Sequence, residues 1–172
     1  GSNSKGKSCE LMTKVLGDYA GTIDPTHFQN FTINPQAASP DLFNIMKCRF
    51  AWTSEPLSGE TKFNCGLIKR WTGRDALTCR KLHQNPITMM PHFTPVIQLN
   101  ACPEMDDDSF GTLRRIVNIE FKSQFVVSPE NSNEFKIDTD LPKKFPKWKL
   151  PLVHILLEYY EKYKQIVKEK GS

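Results

Sequence analysis

"GSNSKGKS", Gly1 to Ser8, opens the chain and fits the pattern G-x-x-x-x-G-K-[ST] over its whole length. This pattern is typical of a loop whose glycines let backbone N–H groups surround phosphates, whose lysine reaches the terminal phosphate and whose hydroxyl binds Mg²⁺. A Gly-Ser pair at a terminus can also be a cloning remnant, and Gly171-Ser172 ends the chain in the same way. The residues that follow must decide between these two interpretations.

The next residues favour the phosphate-binding loop. "CELMTKVLGDYA" has apolar residues at helical spacing, and the pattern stops at Gly17. We therefore expect a helix that begins near Lys7 or Ser8, directly after the loop. A loop of this kind also follows an apolar strand, and we expect that strand upstream of Gly1, in a longer polypeptide of which this chain is a fragment.

Composition places the chain among ordinary globular proteins. A chain of 172 residues suits one domain with its own core, and 38% hydrophobic with 24% charged residues excludes a disordered or fibrous class. The net charge of +4 is compatible with an anionic partner and also with a mixed, solvated surface. No stretch reaches the ~18 apolar residues of a membrane span, so we expect no membrane partner.

The cysteines and acidic residues predict no structural metal site. Five cysteines, an odd number without C-x-x-C spacing or a preceding signal peptide, indicate a reducing compartment. Four scattered histidines give no zinc spacing. The run Asp106 to Asp108 predicts a solvated turn, because three successive carboxylates point apart.

The remaining segments predict an α/β nucleotide-binding sheet. Short helices are expected in "SPDLFNIM", with Ser39 as N-cap, and in "SGETKFNCGLIKRWTG", which Gly73 ends; a long amphipathic helix begins at Pro151. Strands are expected in "KCRFAWTSEP", in "PVIQLN", which ends at Asn100, and in "RRIVNIEF". Between them, "HQNP" at 83–86 predicts the tip of a β-hairpin.

The motifs "GSN-K", "LGDYA", "SEP", "LIKRWTGRDALTCRKL", "GTLRRIVNIEF" and "WKLPLVHILLEYYEKYK" follow one another in an order that resembles superfamily 3 helicases. The resemblance covers nearly all of the chain and favours the primase-helicase branch of nucleocytoplasmic large DNA viruses and phages. It implies an AAA+-type P-loop NTPase, a parallel sheet flanked by helices, with a β-hairpin insertion and a C-terminal helix. An ATPase core would occupy residues 1–125, and residues 126–172 would form an extension with a lid or packing helix.

The resemblance also implies that the loop is native and binds ATP with Mg²⁺. Its nucleotide-binding residues would be Gly1, Ser2, Asn3, Ser4, Lys5, Gly6, Lys7 and Ser8. The family pattern "GSN-[GS]-K-[ST]", at its spacing from "LGDYA", makes Lys5 the phosphate lysine and puts Gly6 where the hydroxyl residue belongs. The general motif instead gives Lys7 this role, with Ser8 as the Mg²⁺ ligand. Both registers remain open.

Three further positions would complete the ATPase chemistry. Glu55 resembles the acid that holds the metal, orients the attacking water, or does both, although Ser54 precedes it where many relatives have a second acid. Asn100 resembles the sensor asparagine, which holds the attacking water or the γ-phosphate. Arg115, with Arg114 as the alternative, resembles the arginine finger that reaches the ATP of a neighbouring subunit. A finger acting in trans implies a homo-oligomer, by resemblance a hexameric ring.

The hairpin is the candidate DNA contact. Arg80, Lys81 and His83 occupy the stretch where the family places a basic residue and a histidine or aromatic on single-stranded DNA, and Lys69, Arg70 and Arg74 could add to this contact or be solvated helix-end residues. The expected function is an ATP-dependent helicase motor in viral replication, in the host cytoplasm, with a possible primase domain upstream. The alternatives are a nucleotide-binding module that does not hydrolyse ATP and a ring-forming scaffold.

Overall fold

The computed structural model describes residues 2–28, 39–53, 62–101 and 103–171. Its α-helices are α1 (Lys5–Leu16), α2 (Pro40–Ile45), α3 (Cys65–Thr72), α4 (Phe110–Leu113) and α5 (Leu141–Lys170). Its strands are β1 (Ala20–Ile23), β2 (Phe50–Thr53), β3 (Leu77–Cys79), β4 (Ile87–Met89), β5 (Thr94–Val96), β6 (Gln124–Val126) and β7 (Glu134–Lys136). Two 3₁₀ turns, Gly17–Tyr19 and Pro25–Phe28, flank β1.

The central sheet is parallel, with strand order β1-β2-β5. Ala51 of β2 lies opposite Gly21 of β1 and Pro95 of β5, and its side chain is fully buried. Parallel neighbours need crossover connections, and α2 provides part of the crossover from β1 to β2. The chain is therefore mixed α/β with a parallel sheet and a C-terminal helix, as predicted.

The core forms where α3 meets the aromatic residues around the sheet. Trp71 on α3 is 1% exposed and contacts Phe28 and Phe93 edge-to-face, with ring centroids 5.2 and 5.3 Å away. Phe63 stacks on Phe28 at 5.5 Å. Phe63 lies in the segment for which we predicted a helix, but it precedes α3 and forms an isolated parallel bridge with Met105. Packing of these rings fixes the position of α3.

Local signals predicted several elements correctly. Ser39 is the N-cap position of α2, and Gly73 is the C-cap of α3, where its N–H donates to the Lys69 carbonyl. Asn64 caps the start of α3, because its side chain accepts a hydrogen bond from the Leu67 N–H at 3.0 Å. The predicted hairpin is confirmed, with β3 and β4 antiparallel and residues 80–86 between them.

Several boundaries and elements differ from the prediction. α1 begins at Lys5, earlier than expected, and β1 was not predicted at all. α5 begins at Leu141 with Asp140 as N-cap, so Pro151 lies inside the helix rather than at its start. Proline removes one backbone donor and kinks a helix, but the surrounding turns continue it here. Strand β5 ends at Val96, so "PVIQLN" is a strand only over its first residues.

The strand predicted in "RRIVNIEF" is wrong. Arg114 and Arg115 form a turn after α4, and residues 116–123 are irregular. A strand forms when a neighbour completes its backbone hydrogen bonds, and within the described ranges no strand lies beside this segment. Strand β6 follows it and pairs with β7 in parallel, and its Phe125 N–H also donates to the Ser2 carbonyl at 2.7 Å.

Helix α5 packs against α1 and carries a partly exposed apolar stripe. Tyr159 and Tyr163 on this stripe are 64% and 61% exposed. Across the described part of the chain, no helix combines the length and the hydropathy needed to cross a membrane.

Candidate functional site

The loop that leads into α1 forms the first part of the site. Ser2 and Ser4 both have left-handed backbone angles, with φ of 67° and 63°, and Ser4 is the N-cap of α1. Left-handed residues next to helical ones turn successive N–H groups toward one side, and a helix N-terminus carries unpaired N–H donors. The loop therefore leads into α1 in a geometry suited to an anion. Gly1 lies outside the described residues.

Lys5 is the first residue of α1 and reaches across to the segment that follows β5. Its Nζ donates to the Leu99 carbonyl and, at 3.0 Å, to Asn100 Oδ1. Asn100 lies four residues beyond the end of β5, so it is not a strand residue as predicted. The structure nevertheless brings together the lysine and the asparagine that the sequence analysis had singled out separately.

Lys7 and Ser8 have partners within α1. The Lys7 ammonium pairs with Glu10 one turn further on, at 2.7 Å on an exposed surface. The Ser8 hydroxyl donates to the Ser4 carbonyl at 3.1 Å. Of the two candidate phosphate lysines, Lys5 therefore faces the end of the sheet, whereas Lys7 lies along its own helix.

Gly6 faces Gln98, a residue that the sequence analysis missed. A Cβ added to Gly6 would lie 3.6 Å from Gln98 Oε1, an ordinary contact distance. The Gln98 N–H donates to Thr53 Oγ1 at 3.0 Å, and Thr53 is fully buried at the end of β2. No local sequence signal marks Gln98, because it belongs to no motif and its contact with Gly6 joins positions far apart in the chain.

The acid predicted at Glu55 lies outside the described residues, two positions beyond Thr53. Among the residues that the structure does describe, no group of three His, Cys, Asp or Glu side chains is placed to hold a metal ion. The two oxygen atoms that accept hydrogen bonds from Lys5 are both neutral, namely the side-chain amide oxygen of Asn100 and the carbonyl oxygen of Leu99.

The two arginines after α4 differ in their surroundings. Arg115 Nε donates to the Gly111 carbonyl at 3.1 Å, and its Nη1 donates to Thr72 Oγ1 at 3.3 Å, so the guanidinium is fixed on α3. Arg114, the C-cap of α4, is exposed. Arg114 is thus the better placed of the pair to reach another molecule.

The three hairpin residues are not equally accessible. Lys81 is half-buried, with its Nζ 4.4 Å from the centre of the Phe43 ring on α2. Arg80 is also half-buried, and its Nε has no hydrogen-bond partner among the described residues. His83 is exposed at the tip with φ of 60°. Of these three side chains, that of His83 is therefore the most accessible to a ligand.

Lys69 and the acidic run have structural roles. Lys69 pairs with Asp107, which also accepts hydrogen bonds from the Thr112 hydroxyl at 2.6 Å and the Ser109 N–H at 2.9 Å. The Lys69 contact, followed by those of Thr112 and Ser109, holds the pKa of Asp107 well below its usual range. Asp106 accepts from the Cys65 N–H at 2.9 Å. Asp106 and Asp108 are exposed in an irregular segment, as predicted, and Asp106 and Asp107 additionally contact residues of α3 and α4.

The cysteines that the structure describes are free and buried: Cys9, Cys48, Cys65 and Cys79. Burial raises the pKa of each of these thiols. A raised pKa keeps a thiol protonated and weakly nucleophilic, so these side chains act as small apolar groups in the core.

Comparison with known proteins gives one informative similarity. No protein-family model matches the chain. Over 96% of its length the chain is 33% identical to part of a protein of Acanthamoeba polyphaga mimivirus named "Putative helicase L207/L206". The chain spans only 18% of that relative's length. The chain is therefore similar to a segment of a viral protein that carries the name of a helicase.

Proposed function

We propose that this chain is the ATP-hydrolysing motor of a DNA helicase of the superfamily 3 type, with an AAA+-like P-loop fold. The observation that carries the proposal is the contact between Lys5 and Asn100. It places a cation at the start of a helix beside an amide at the end of a parallel sheet. Nucleotides bind at the carboxyl ends of parallel strands, with their phosphates at a helix N-terminus. The similarity to the mimivirus protein supports the same function.

The residues at this edge suit phosphoryl transfer, which depends mainly on positioning and on charge stabilisation. On nucleotide binding, the Lys5 ammonium would break its hydrogen bonds to Asn100 and Leu99 and would contact the β- and γ-phosphates instead. Asn100, released from Lys5, would orient the attacking water through its side-chain amide. Glu55 is proposed as the acid that activates this water, because it resembles the family's metal-binding acid and follows Thr53, the last residue of β2, by two positions in sequence.

Mg²⁺ would enter with the nucleotide, as Mg·ATP. The loop residue that would normally supply a hydroxyl to this ion is Gly6 in the Lys5 register, and the Ser8 hydroxyl is bonded to the Ser4 carbonyl. The loop keeps the hydroxyls of Ser2, Ser4 and Ser8, but it has none at the position directly after Lys5, where the motif places the Mg²⁺ ligand. The ion keeps most of its water ligands in such sites, so protein oxygens need only hold those waters.

Subunit and DNA contacts follow from the exposed groups. Arg114 is proposed as the finger that stabilises charge on the ATP of a neighbouring subunit, in a hexameric ring, since Arg115 is bound to α3. His83 at the hairpin tip is proposed to contact single-stranded DNA, with Arg80 and Lys81 supporting the hairpin. A primase domain in the same polypeptide, and activity in the host cytoplasm, belong to this proposal on the resemblance alone.

The test compares Lys5→Ala with Lys7→Ala in the full-length protein, measuring steady-state ATP hydrolysis with and without single-stranded DNA. We expect Lys5→Ala to lower turnover by about 100-fold or more, because it removes a cation from the transferred phosphate. Lys7→Ala is the matched control and should change turnover by about twofold or less, because Lys7 pairs with Glu10 on the exposed surface of α1 and not with the residues at the end of the sheet. The opposite result would assign the phosphate to Lys7.

One observation favours the second candidate, a nucleotide-binding module without hydrolysis. Gly6 leaves the loop without the usual Mg²⁺ hydroxyl, and loss of that group would slow turnover more than binding. This candidate predicts that the wild-type protein binds ATP but hydrolyses none, with or without DNA. DNA-stimulated turnover in the wild type would exclude it.

A further inference from the structure

Gln98 is the most informative residue that the proposed site does not yet use. Its side-chain Nε2 is buried without a hydrogen-bond partner among the described residues, and the side chain also lies beside the Cys9 thiol, whose pKa burial raises and Gln98 lowers. Its Oε1 lies 3.6 Å from the position of a Cβ on Gly6. A serine at position 6 would therefore place its Cβ in contact with the Gln98 carboxamide.

Two consecutive residues of α1 face two alternate residues of the segment after β5. Lys5 contacts Asn100, and Gly6 faces Gln98. In the proposed site Lys5 meets the phosphates, so Gly6 and Gln98 lie on the side where the loop hydroxyl would meet the metal ion. The Gln98 carboxamide therefore lies beside position 6, where the hydroxyl of the motif is missing.

The backbone of Gln98 is held firmly enough for its side chain to act there. Its N–H donates to Thr53 Oγ1 at 3.0 Å, and Thr53 is 0% exposed. This bond ties residue 98 to the end of β2, the strand that leads to Glu55. The carboxamide oxygen is a neutral acceptor of the kind that binds hard cations or their waters.

We propose that Gln98 replaces the loop hydroxyl that Gly6 lacks, and that its carboxamide oxygen holds a water on the Mg²⁺ of bound Mg·ATP. This inference rests on the proposed nucleotide site. Gln98 would be a positioning residue, because it acts on the metal through water and makes no contact with the reacting phosphate.

The experiment measures ATP affinity of the full-length protein by fluorescence titration, with Mg²⁺ and with EDTA. The variants are Gln98→Met, which keeps the length of the side chain and removes the carboxamide, Gly6→Ser, and the two combined. We expect Gln98→Met to weaken Mg·ATP binding by about 10- to 100-fold, as for other residues that orient metal-bound groups, and to leave metal-free ATP binding unchanged. Gly6→Ser should restore most of the loss in the double variant.

A purely structural role for Gln98 gives a different result. Equal weakening with Mg²⁺ and with EDTA, or no weakening at all, would overturn the inference, as would failure of Gly6→Ser to compensate. Should Gln98→Met fold poorly in thermal melting, Gln98→Glu provides the second variant, and it should strengthen Mg·ATP binding because a carboxylate holds magnesium waters better than an amide. Absence of any ATP binding by the wild type would instead overturn the proposed function.

Discussion

The Lys5 ammonium donates a 3.0 Å hydrogen bond to Asn100 Oδ1, so the first residue of α1 is joined to the segment after β5. A nucleotide phosphate would compete with Asn100 for the same ammonium. Binding of ATP would therefore release the Asn100 amide at the moment when a water needs to be oriented. Binding of ATP at the loop would thereby change the position of Asn100, which follows β5.

Asn100→Ala is expected to lower the rate of ATP hydrolysis much more than the affinity for ATP. Loss of the amide should lower ATP turnover by about 10²- to 10³-fold, the usual effect of removing one oriented polar group from a reacting centre. ATP affinity should change little, because Lys5 still meets the phosphates. The measurements are steady-state hydrolysis and nucleotide titration, with the exposed Asn118→Ala as the control. A variant that loses ATP affinity as strongly as turnover would place Asn100 in binding rather than in catalysis.

The contacts of Asp107 predict a pH-dependent stability. Lys69, Thr112 and Ser109 lower the pKa of this carboxyl in the folded state below its ordinary value of 3.8. A lowered folded-state pKa stabilises the protein above the unfolded-state value, and that contribution is lost as the pH falls toward the folded-state value. Asp107→Asn should therefore reduce the free energy of unfolding at neutral pH, and its difference from the wild type should shrink in acid.

Urea unfolding of wild type and Asp107→Asn, stepped from about pH 7 to about pH 2, measures this difference, and most of its loss is expected below the ordinary pKa of 3.8. Asp108→Asn is the matched control, because Asp108 is the next residue and is exposed. A difference that stays constant over this range would show that the contribution of Asp107 does not depend on its charge.

Sequence signals predicted the elements that depend on neighbouring residues. Ser39 with Pro40, Gly73, and the "HQNP" turn each fix a backbone conformation locally, and the structure has the expected cap or turn at each place. The apolar alternation of residues 116–121 is an equally clear local signal, but a strand also needs a partner. Val117 and Ile119 are 83% and 71% exposed, because within the described chain nothing pairs with them.

The candidate site was only partly predictable for a related reason. Lys5 and Asn100 were found as motif residues, but their contact joins positions far apart in sequence, and only the fold brings them together. Gln98 belongs to no motif, and its importance comes from the absence of a side chain on Gly6. A motif search identifies residues that are present. The space beside a glycine can be recognised only from the positions of the neighbouring residues in the structure.

The close contact between β1 and α2 predicts that Gly21 cannot be enlarged. A Cβ there would lie 2.9 Å from Ile45 Cγ2 and 3.0 Å from Cys48 Sγ, and both neighbours are buried. Gly21→Ala should lower the free energy of unfolding by about 1–3 kcal/mol through overpacking. Gly111→Ala is the control, since its Cβ would meet nothing closer than 3.7 Å and alanine favours helix α4. Equal stability of the two variants in urea unfolding would contradict the packing described here.

Trp71 is expected to be the largest single contributor to the core around α3. It is 1% exposed and contacts Phe28 and Phe93 edge-to-face, so Trp71→Ala leaves a large cavity between two rings. The expected loss is about 3–5 kcal/mol of unfolding free energy. Trp71→Phe should cost clearly less, because it keeps a ring and removes an indole N–H that has no partner among the described residues. Denaturant unfolding of both variants tests this order, and a phenylalanine variant as unstable as the alanine variant would mean that the indole N–H is satisfied in solution.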